Sequence, residues 1–303
     1  MALKFSVGIP AYNEEGNIGN LLRNLLEQPL AESLKMERIV VEASGSTDRT
    51  PEIVRGYANQ HSEVELITEE TRRGKSSSFN TILNRVDEEL LIYMSADNLP
   101  AKGSLNELLL PFLKGDRIGG VTGRPLPINN PDTFWGYISH LIWRLHHEMC
   151  LRQRVKLSGE FCAVRCGVVN EIPHRTINDD VYLEWLIRKR HYDIVYAPKA
   201  ISLMRGPNNL RDFINQRRRV AGGHLQIHHE VTGRQYMSPT YDFVKVFPVI
   251  PHAINPSPKG LFWSLTASIL EAYSHILARY DKIRGRMHYT WKIAPSTKKV
   301  KPS

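Results

Sequence analysis

The sequence predicts an α/β protein, a mainly parallel sheet with helices on both faces, followed by a C-terminal helical extension. Three observations carry this. Strand-like apolar runs alternate with amphipathic helical stretches through the first hundred residues. Each of the four strands is followed by a polar loop, and past about residue 235 the chain turns aromatic and proline-broken before one long amphipathic stretch.

Phe5 to Ile9 reads as the first strand, and "NIGNLLRNLLEQ" follows with Ile18, Leu21, Leu22, Leu25 and Leu26 on one helical face. Arg38 to Glu42 is the second strand. Pro51 then stands at the first helical position after Thr50, with Ile53, Val54 and Tyr57 turned inward. Val64 to Thr68 is the third strand, Ser76 to Val86 a helix, and "LLIYM" a fourth strand, apolar throughout as a buried parallel strand should be. Strands alternating with helices imply parallel pairing and right-handed crossovers. In such sheets the ligand lies beyond the carboxyl ends of the strands. The segments there are "PAYNEE", "ASGSTDRT", "RRGK" and "SADN". Surface turns would explain one or two polar loops; four aimed at one rim point to a site.

The formal net charge of +9 in 303 residues suggests a polyanionic partner: nucleic acid, acidic lipid headgroups or phosphorylated small molecules. Three cysteines, Cys150, Cys162 and Cys166, are too few and too odd for a disulfide framework, so a reducing, cytoplasmic setting is expected, with Cys162 and Cys166 as core thiols. "MALKFSVGIP" runs straight into a strand with no leader-peptide pattern.

"RRGKSSSFN" invites comparison with a phosphate-binding Walker loop, which needs a glycine five positions before Gly74. Glu69 stands there, so the wrap cannot form. What remains is a helix N-terminus flanked by Arg72, Arg73 and Lys75, a reasonable place for a diphosphate.

"GIPAYNEEGNIGNLL", "VEASGSTDRT", "RRGKSSSFN" and "YMSADNLP", in this order and followed by "SGEFCAVR", "INDDVYLEWLIRKRHYDIVYAPKA" and "QRRRVAGGH", resemble the inverting family 2 glycosyltransferases of the GT-A fold over about residues 4 to 230. The resemblance implies a Rossmann-like GT-A domain at 1–230, with a nucleotide-sugar half at 1–100 and an acceptor half at 101–230, and an extension at 231–303. It assigns Pro10, Tyr12 and Glu14 to the segment that binds the base, joined in the donor site by Ser44, Lys75, Asn80 and Ala96. It places Asp97 at the second acid of a DxD segment, where a hard carboxylate can hold Mn²⁺ or Mg²⁺ against the donor diphosphate. Asp180, with Asp179 beside it, matches the acid that deprotonates the acceptor hydroxyl. Gln216 and Arg219 fall in a QxxRW-like segment that would flank the diphosphate. Read without the family, Asp97 is a turn former or cap, Asp179 and Asp180 are helix-start acids, the arginines are a solvated face, and His224 is a surface or core histidine.

Three departures stand out. Ala43 and Ser44 replace paired acids, leaving Glu42 as the remaining candidate to contact the base. Ser95 replaces the first acid of DxD, and Val220 stands where processive members carry tryptophan. The expected function is transfer from a UDP- or GDP-sugar to a hydroxyl or lipid-phosphate of a glycan or lipid-linked acceptor, in glycan, glycolipid or polysaccharide synthesis. The alternatives are a non-catalytic nucleotide-sugar or glycan-binding relative and, on charge alone, a nucleic-acid binder. No nucleic-acid motif is present, and none is expected as partner.

In the extension, "YDFVKVFPVIPHAINPSPKG" is expected to be extended, because four prolines interrupt it. "LFWSLTASILEAYSHILARYDKI" carries Leu261, Leu265, Ile269, Ala272, Ile276, Tyr280 and Ile283 on one stripe. Its charged residues interrupt it well short of the ~20 apolar residues of a membrane span. The stripe is expected to pack on a core. Phe262, Trp263 and the basic tails "KIRGRMHYTWK" and "STKKVKPS" also suit attachment to an anionic inner membrane face. A second apolar helix, "TFWGYISHLIWRLHHEMCLRQR", is either core or the wall of an acceptor groove.

Overall fold

The computed structural model describes residues 2–233, 236–286, 289–290 and 295–298; the remainder of the two basic tails lies outside the described residues. The first half builds β1 (Leu3–Pro10), α1 (Ile18–Leu26), β2 (Leu34–Glu42), α2 (Thr50–Ala58), β3 (Val64–Ile67), α3 (Lys75–Leu83) and β4 (Leu90–Met94), the alternation read from the sequence. β5 (Leu99–Pro100), α4 (Ser104–Leu109), β6 (Ile118–Pro127), α5 (Phe134–Leu151), β7 (Phe161–Arg165), α6 (Asp179–Lys189), β8 (Asp193–Met204) and α7 (Leu210–Gln226) follow. The single sheet runs β3-β2-β1-β4-β7-β6-β8-β5. Its first four strands are parallel, while β7 pairs antiparallel with both β4 and β6.

Alternation along the strands divides the core between the two faces. Leu90, Ile92 and Met94 of β4 join Ile9, Ile39 and Leu22 on one side, against α1 and α4. Leu91 and Tyr93 join Phe79, Ile82 and Leu183 on the other, against α3 and α6. Cys150, Cys162 and Cys166 are unbridged, and burial pushes their thiols up.

The antiparallel entry of β7 matters most for the site. Because Met94 pairs with Phe161, the Ser95–Asn98 turn leaving β4 meets the Gly159–Glu160 turn entering β7. Ser95 N–H donates to the Glu160 carbonyl at 3.3 Å, and Asn98 Nδ2 donates to the same carbonyl at 2.7 Å.

Two expectations for the extension are corrected. The proline-rich stretch is not extended: it folds into short helical turns, including α8 (Phe243–Val246), Phe247–Val249 and α9 (Ile250–Ala253). Pro248 and Pro251 sit in the first positions of their turns, where no N–H is needed and φ is already right. α10 (Pro258–Ile283) is the expected long helix, but its apolar stripe faces outward. Leu265, Ile269 and Ile276 are 60–62% exposed and Ile283 83% exposed. The buried face is instead the small-residue side, Gly260, Ser264, Ala267, Ser274 and Ala278, which lets α10 lie close to α7. Among the described residues no helix is long and apolar enough to cross a membrane.

Ion pairs fasten that contact. Arg217 makes a two-pronged bond to Glu271, 2.7 Å on each prong, and Arg218 pairs with the buried Asp281. Glu271→Ala leaves the Arg217 guanidinium without its carboxylate, and we expect a loss of about 2–3 kcal/mol, below the ~3–5 of a fully buried pair. Urea unfolding checks this; a change under ~0.5 kcal/mol would show that the pair does not hold α10.

Candidate active site

The polar loops converge on one cleft at the carboxyl ends of β1, β2 and β4, with a volume of about 240 Å³. Pro10, Tyr12, Glu14, Ser44, Lys75, Ala96, Asp97, Gln216 and Arg219 all line it. The first loop is held open by the second: Asn13 adopts φ 53° and its Oδ1 accepts from Thr47 N–H at 2.8 Å, while Glu14 N–H donates to Thr50 Oγ1 at 2.7 Å. The Arg72 guanidinium lies 3.8 Å from the Tyr12 ring centre, forming a flat platform. Ser44 Oγ donates to Glu42, whose carboxyl burial pushes up.

Asn80 is placed elsewhere. Its amide clamps the Ile172 backbone from both sides, Nδ2 to O at 2.7 Å and Ile172 N–H to Oδ1 at 2.9 Å, so it fixes α3 to the loop before α6 and stays out of the cleft.

Asp97 and Glu160 are brought together by the turns at the β4–β7 boundary, and both line the cleft. Burial, then the neighbouring Glu160 charge, pushes the Asp97 carboxyl up to about 7. A carboxylate whose ionisation is opposed by burial and by a neighbouring acid is one that a hard divalent cation would relieve, so the residues fit Mn²⁺ or Mg²⁺. Among the described residues no group of three or more His, Cys, Asp or Glu forms a cage of its own. A cation of this kind ordinarily takes one or two carboxylates and completes its shell with substrate phosphate and water.

Lys75 stands at the centre. Gly74, at φ 98°, turns the chain into α3 so that Lys75 points inward. Its Nζ donates to the Gly159 carbonyl at 3.1 Å and to Ser95 Oγ at 3.4 Å, and lies 3.8 Å from Asp179 Oδ2. Burial works against its charge, but Asp179, Glu160 and Asp180 outweigh burial and hold its pKa above the ordinary value.

Asp179 and Asp180 open α6, both line a second cavity, and they pair with different lysines. Asp179 is almost fully buried, and burial raises its pKa despite Lys75. Asp180 faces that larger cavity, of about 750 Å³. Its Oδ2 accepts from Gly159 N–H at 3.3 Å and pairs with Lys156 Nζ at 3.5 Å. Burial opposes ionisation here too, but Lys156 and Lys75 win and bring the carboxyl down to about 2. α7 approaches this helix start closely because Gly223 has no side chain: a Cβ there would lie 2.3 Å from the Asn178 amide carbon. Lys75, Glu160, Gln216 and Arg219 line both cavities, so the two chambers share one wall.

Several lining residues escape sequence reading. Glu160 and Lys156 have no local signature; only the β4–β7 register and the turn after α5 bring them in. Lys298, paired with Glu14, and Thr297 close the far end of the first cleft. His224 is buried and stacked on Tyr241, ring centres 3.6 Å apart; it lines the second cavity and is absent from the first.

Comparisons with known proteins identify the family and the fold. The family profile described as "Glycosyl transferase family 2" matches residues 6–172, over half of the chain, and "Glycosyl transferase family group 2" matches residues 90–296. Poly-β-1,6-N-acetyl-D-glucosamine synthase of Staphylococcus epidermidis is 24% identical over 239 residues, 76% of this chain and 56% of that protein. The enzyme of the same name from Staphylococcus aureus is 26% identical over 241 residues, again 76% and 56%. The chain therefore spans about half the length of these relatives. Among solved structures, the mannosyltransferase PcManGT of Pyrobaculum calidifontis, in complex with GDP-Man and Mn²⁺, superposes with a TM-score of 0.66 at 22% identity, covering 94% of this chain and 88% of that one. S. aureus TarS 1–349 in complex with UDP-GlcNAc gives 0.53 at 17% identity, covering 94% and 93%. These neighbours share the mixed α/β architecture of GT-A glycosyltransferases. The chain belongs to glycosyl transferase family 2.

Proposed function

We propose that this chain transfers a sugar, with inversion, from a UDP- or GDP-sugar to a hydroxyl of a glycan or lipid-linked acceptor. The observation that carries the reading is the shared wall: Lys75, Glu160, Gln216 and Arg219 separate a cleft holding Asp97 from a cavity holding Asp180. A non-catalytic reading has less support, because Asp97, Asp179 and Asp180 all stand at this wall despite Ser95, Ala43 and Val220.

In this reading the Tyr12–Arg72 platform stacks the base, and Lys75 with Gln216 and Arg219 holds the diphosphate. Arg219 is a half-buried guanidinium whose pKa is lowered by desolvation to about 10, so it remains charged at neutral pH and gains from an anion. Asp97, with Glu160, would hold Mn²⁺ or Mg²⁺, which when bound neutralises the charge developing on the leaving diphosphate. Asp180 is ionised throughout the neutral range and so is ready to accept a proton. The acceptor oxygen forms a bond to the anomeric carbon as the bond to the diphosphate oxygen breaks; the acceptor proton passes to Asp180, and the nucleoside diphosphate departs toward Lys75. Base and leaving group on opposite sides of the carbon produce inversion. The outward stripe of α10, flanked by Lys259, Arg279 and Arg284, supports work at an anionic, cytoplasmic membrane face.

Asp180→Asn should lower transfer by roughly 10²–10⁴-fold while nucleotide binding persists; near-normal turnover would remove Asp180 from the base role. A second expectation follows from Asp97. Its folded pKa is raised, so its contribution favours folding at acid pH and is lost as pH rises through about 7. With chelator present, thermal stability should fall between pH 5 and pH 8 more steeply in the wild type than in Asp97→Asn, and Mn²⁺ should restore it at pH 8. Equal pH slopes for the two proteins would show that Asp97 is not a strained carboxylate and would weaken its assignment as the metal ligand.

A further inference from the structure

The second cavity has a chemistry that the donor reading does not require. It lies among α5, the start of α6, α7, α9 and α10, and at about 750 Å³ it is in the range of small-molecule sites, ~300–1,000 Å³. Its long walls are apolar: Ile142 and Leu145 of α5, Phe213 of α7, Val246 and Ile250 of the proline-rich turns, and Ala267 of α10. Polar groups stand at the Asp180 end, and Arg217 of α7 with Ser268, Glu271, His275 and Arg279 of α10 line the cavity as well. Asp180 and Lys156 are at that end, as is His224, which is 5% exposed and whose Nε2 has no hydrogen-bond partner among the described residues. A buried nitrogen without a partner is costly, and a ligand hydroxyl or phosphate oxygen would satisfy it.

The mouth continues the same pattern. Ser268, Ala272 and Arg279 line the cavity from α10, and at 100° per residue the next face of that helix carries Leu265, Ile269 and Ile276, all exposed. On the other element, Val246 lines the cavity while its neighbours Val244 and Phe247 are 79% and 62% exposed. An apolar cavity thus passes into an apolar outer surface with lysine and arginine beside it, the arrangement of a protein that draws a ligand from an anionic lipid surface.

We propose that the cavity holds the apolar chain of an amphiphilic acceptor, drawn from a lipid surface that covers the α10 stripe, with its head against Asp180 and His224. This rests on the transferase reading for what happens to the head, but the chain site itself is testable without turnover.

The probes are hexyl, octyl and decyl β-glucoside and decyl phosphate, titrated calorimetrically below their micelle concentrations. Binding should strengthen about fourfold for each added CH₂, from the ~0.8 kcal/mol gained by burying one. Ala272→Trp, at the exposed rim, and Ala267→Trp, inside, should flatten that dependence; the rim variant guards against misfolding of the inner one. Ile269→Glu should keep the dependence while weakening binding to phosphatidylglycerol vesicles. Phosphate and glucoside heads separate a lipid-phosphate source from a glycolipid source. Affinity independent of chain length, or a dependence unchanged in both tryptophan variants, or one abolished by Ile269→Glu alone, would overturn the proposal. UDP and GDP with Mn²⁺, titrated into the same proteins, keep the two readings apart. Nucleotide binding with a flat alkyl series sinks the chain site and leaves the donor reading standing. The reverse pattern sinks the donor reading and keeps a lipid-chain site.

Discussion

A buried lysine organises this molecule. Lys75 is mostly withdrawn from water at the start of α3, and the end of β4, the turn before β7 and the start of α6 each supply an oxygen to its ammonium. Four segments distant in sequence are thereby held around one positive charge. The sheet provides the frame, since the parallel β1, β2 and β4 end at the same rim and β7 enters antiparallel beside β4. The electrostatics of the neighbours follow from the same charge: it helps to keep Asp180 ionised, while Asp97, dominated by burial and Glu160, is pushed the other way. Two carboxylates with opposite perturbations thus stand on either side of one cation.

The helices beyond the sheet supply a different kind of surface. α5, α7 and α10 pack through a small aromatic cluster that includes Tyr137, Phe213 and Trp263, and through two arginine–carboxylate pairs. That packing leaves a hollow on the Asp180 side and an apolar stripe outside. The Asp97 end of the molecule is thus polar and built from loops, whereas the end that we propose takes the acceptor is mostly apolar and built from helices.

Much of the sheet could be read directly, because buried parallel strands are written as short apolar runs and their helices as 3.6-residue patterns. "LLIYM" and "LLRNLL" are signals of that local kind. The polar loops were legible for the same reason: each follows its strand at once. Long-range pairing was not legible. Glu160 enters the site through the Met94–Phe161 register, and Asn80 reaches across to Ile172 rather than into the cleft. The α10 stripe shows a subtler limit. Hydrophobic periodicity located the helix, but the face that packs is its glycine, alanine and serine face, chosen by close approach to α7 and by Arg217–Glu271. Periodicity detects an apolar face without saying what covers it.

The proposed activity needs a metal-dependent nucleotide site with Lys75 at its phosphate end. The most direct test is calorimetric titration of UDP- and GDP-sugars with Mn²⁺ into the wild type and Lys75→Met. The account predicts that one of the two nucleotides binds the wild type only when metal is present, and that Lys75→Met, while folded, weakens it at least tenfold. Absence of binding by either nucleotide in the presence of metal, or equal affinity in Lys75→Met, would contradict it.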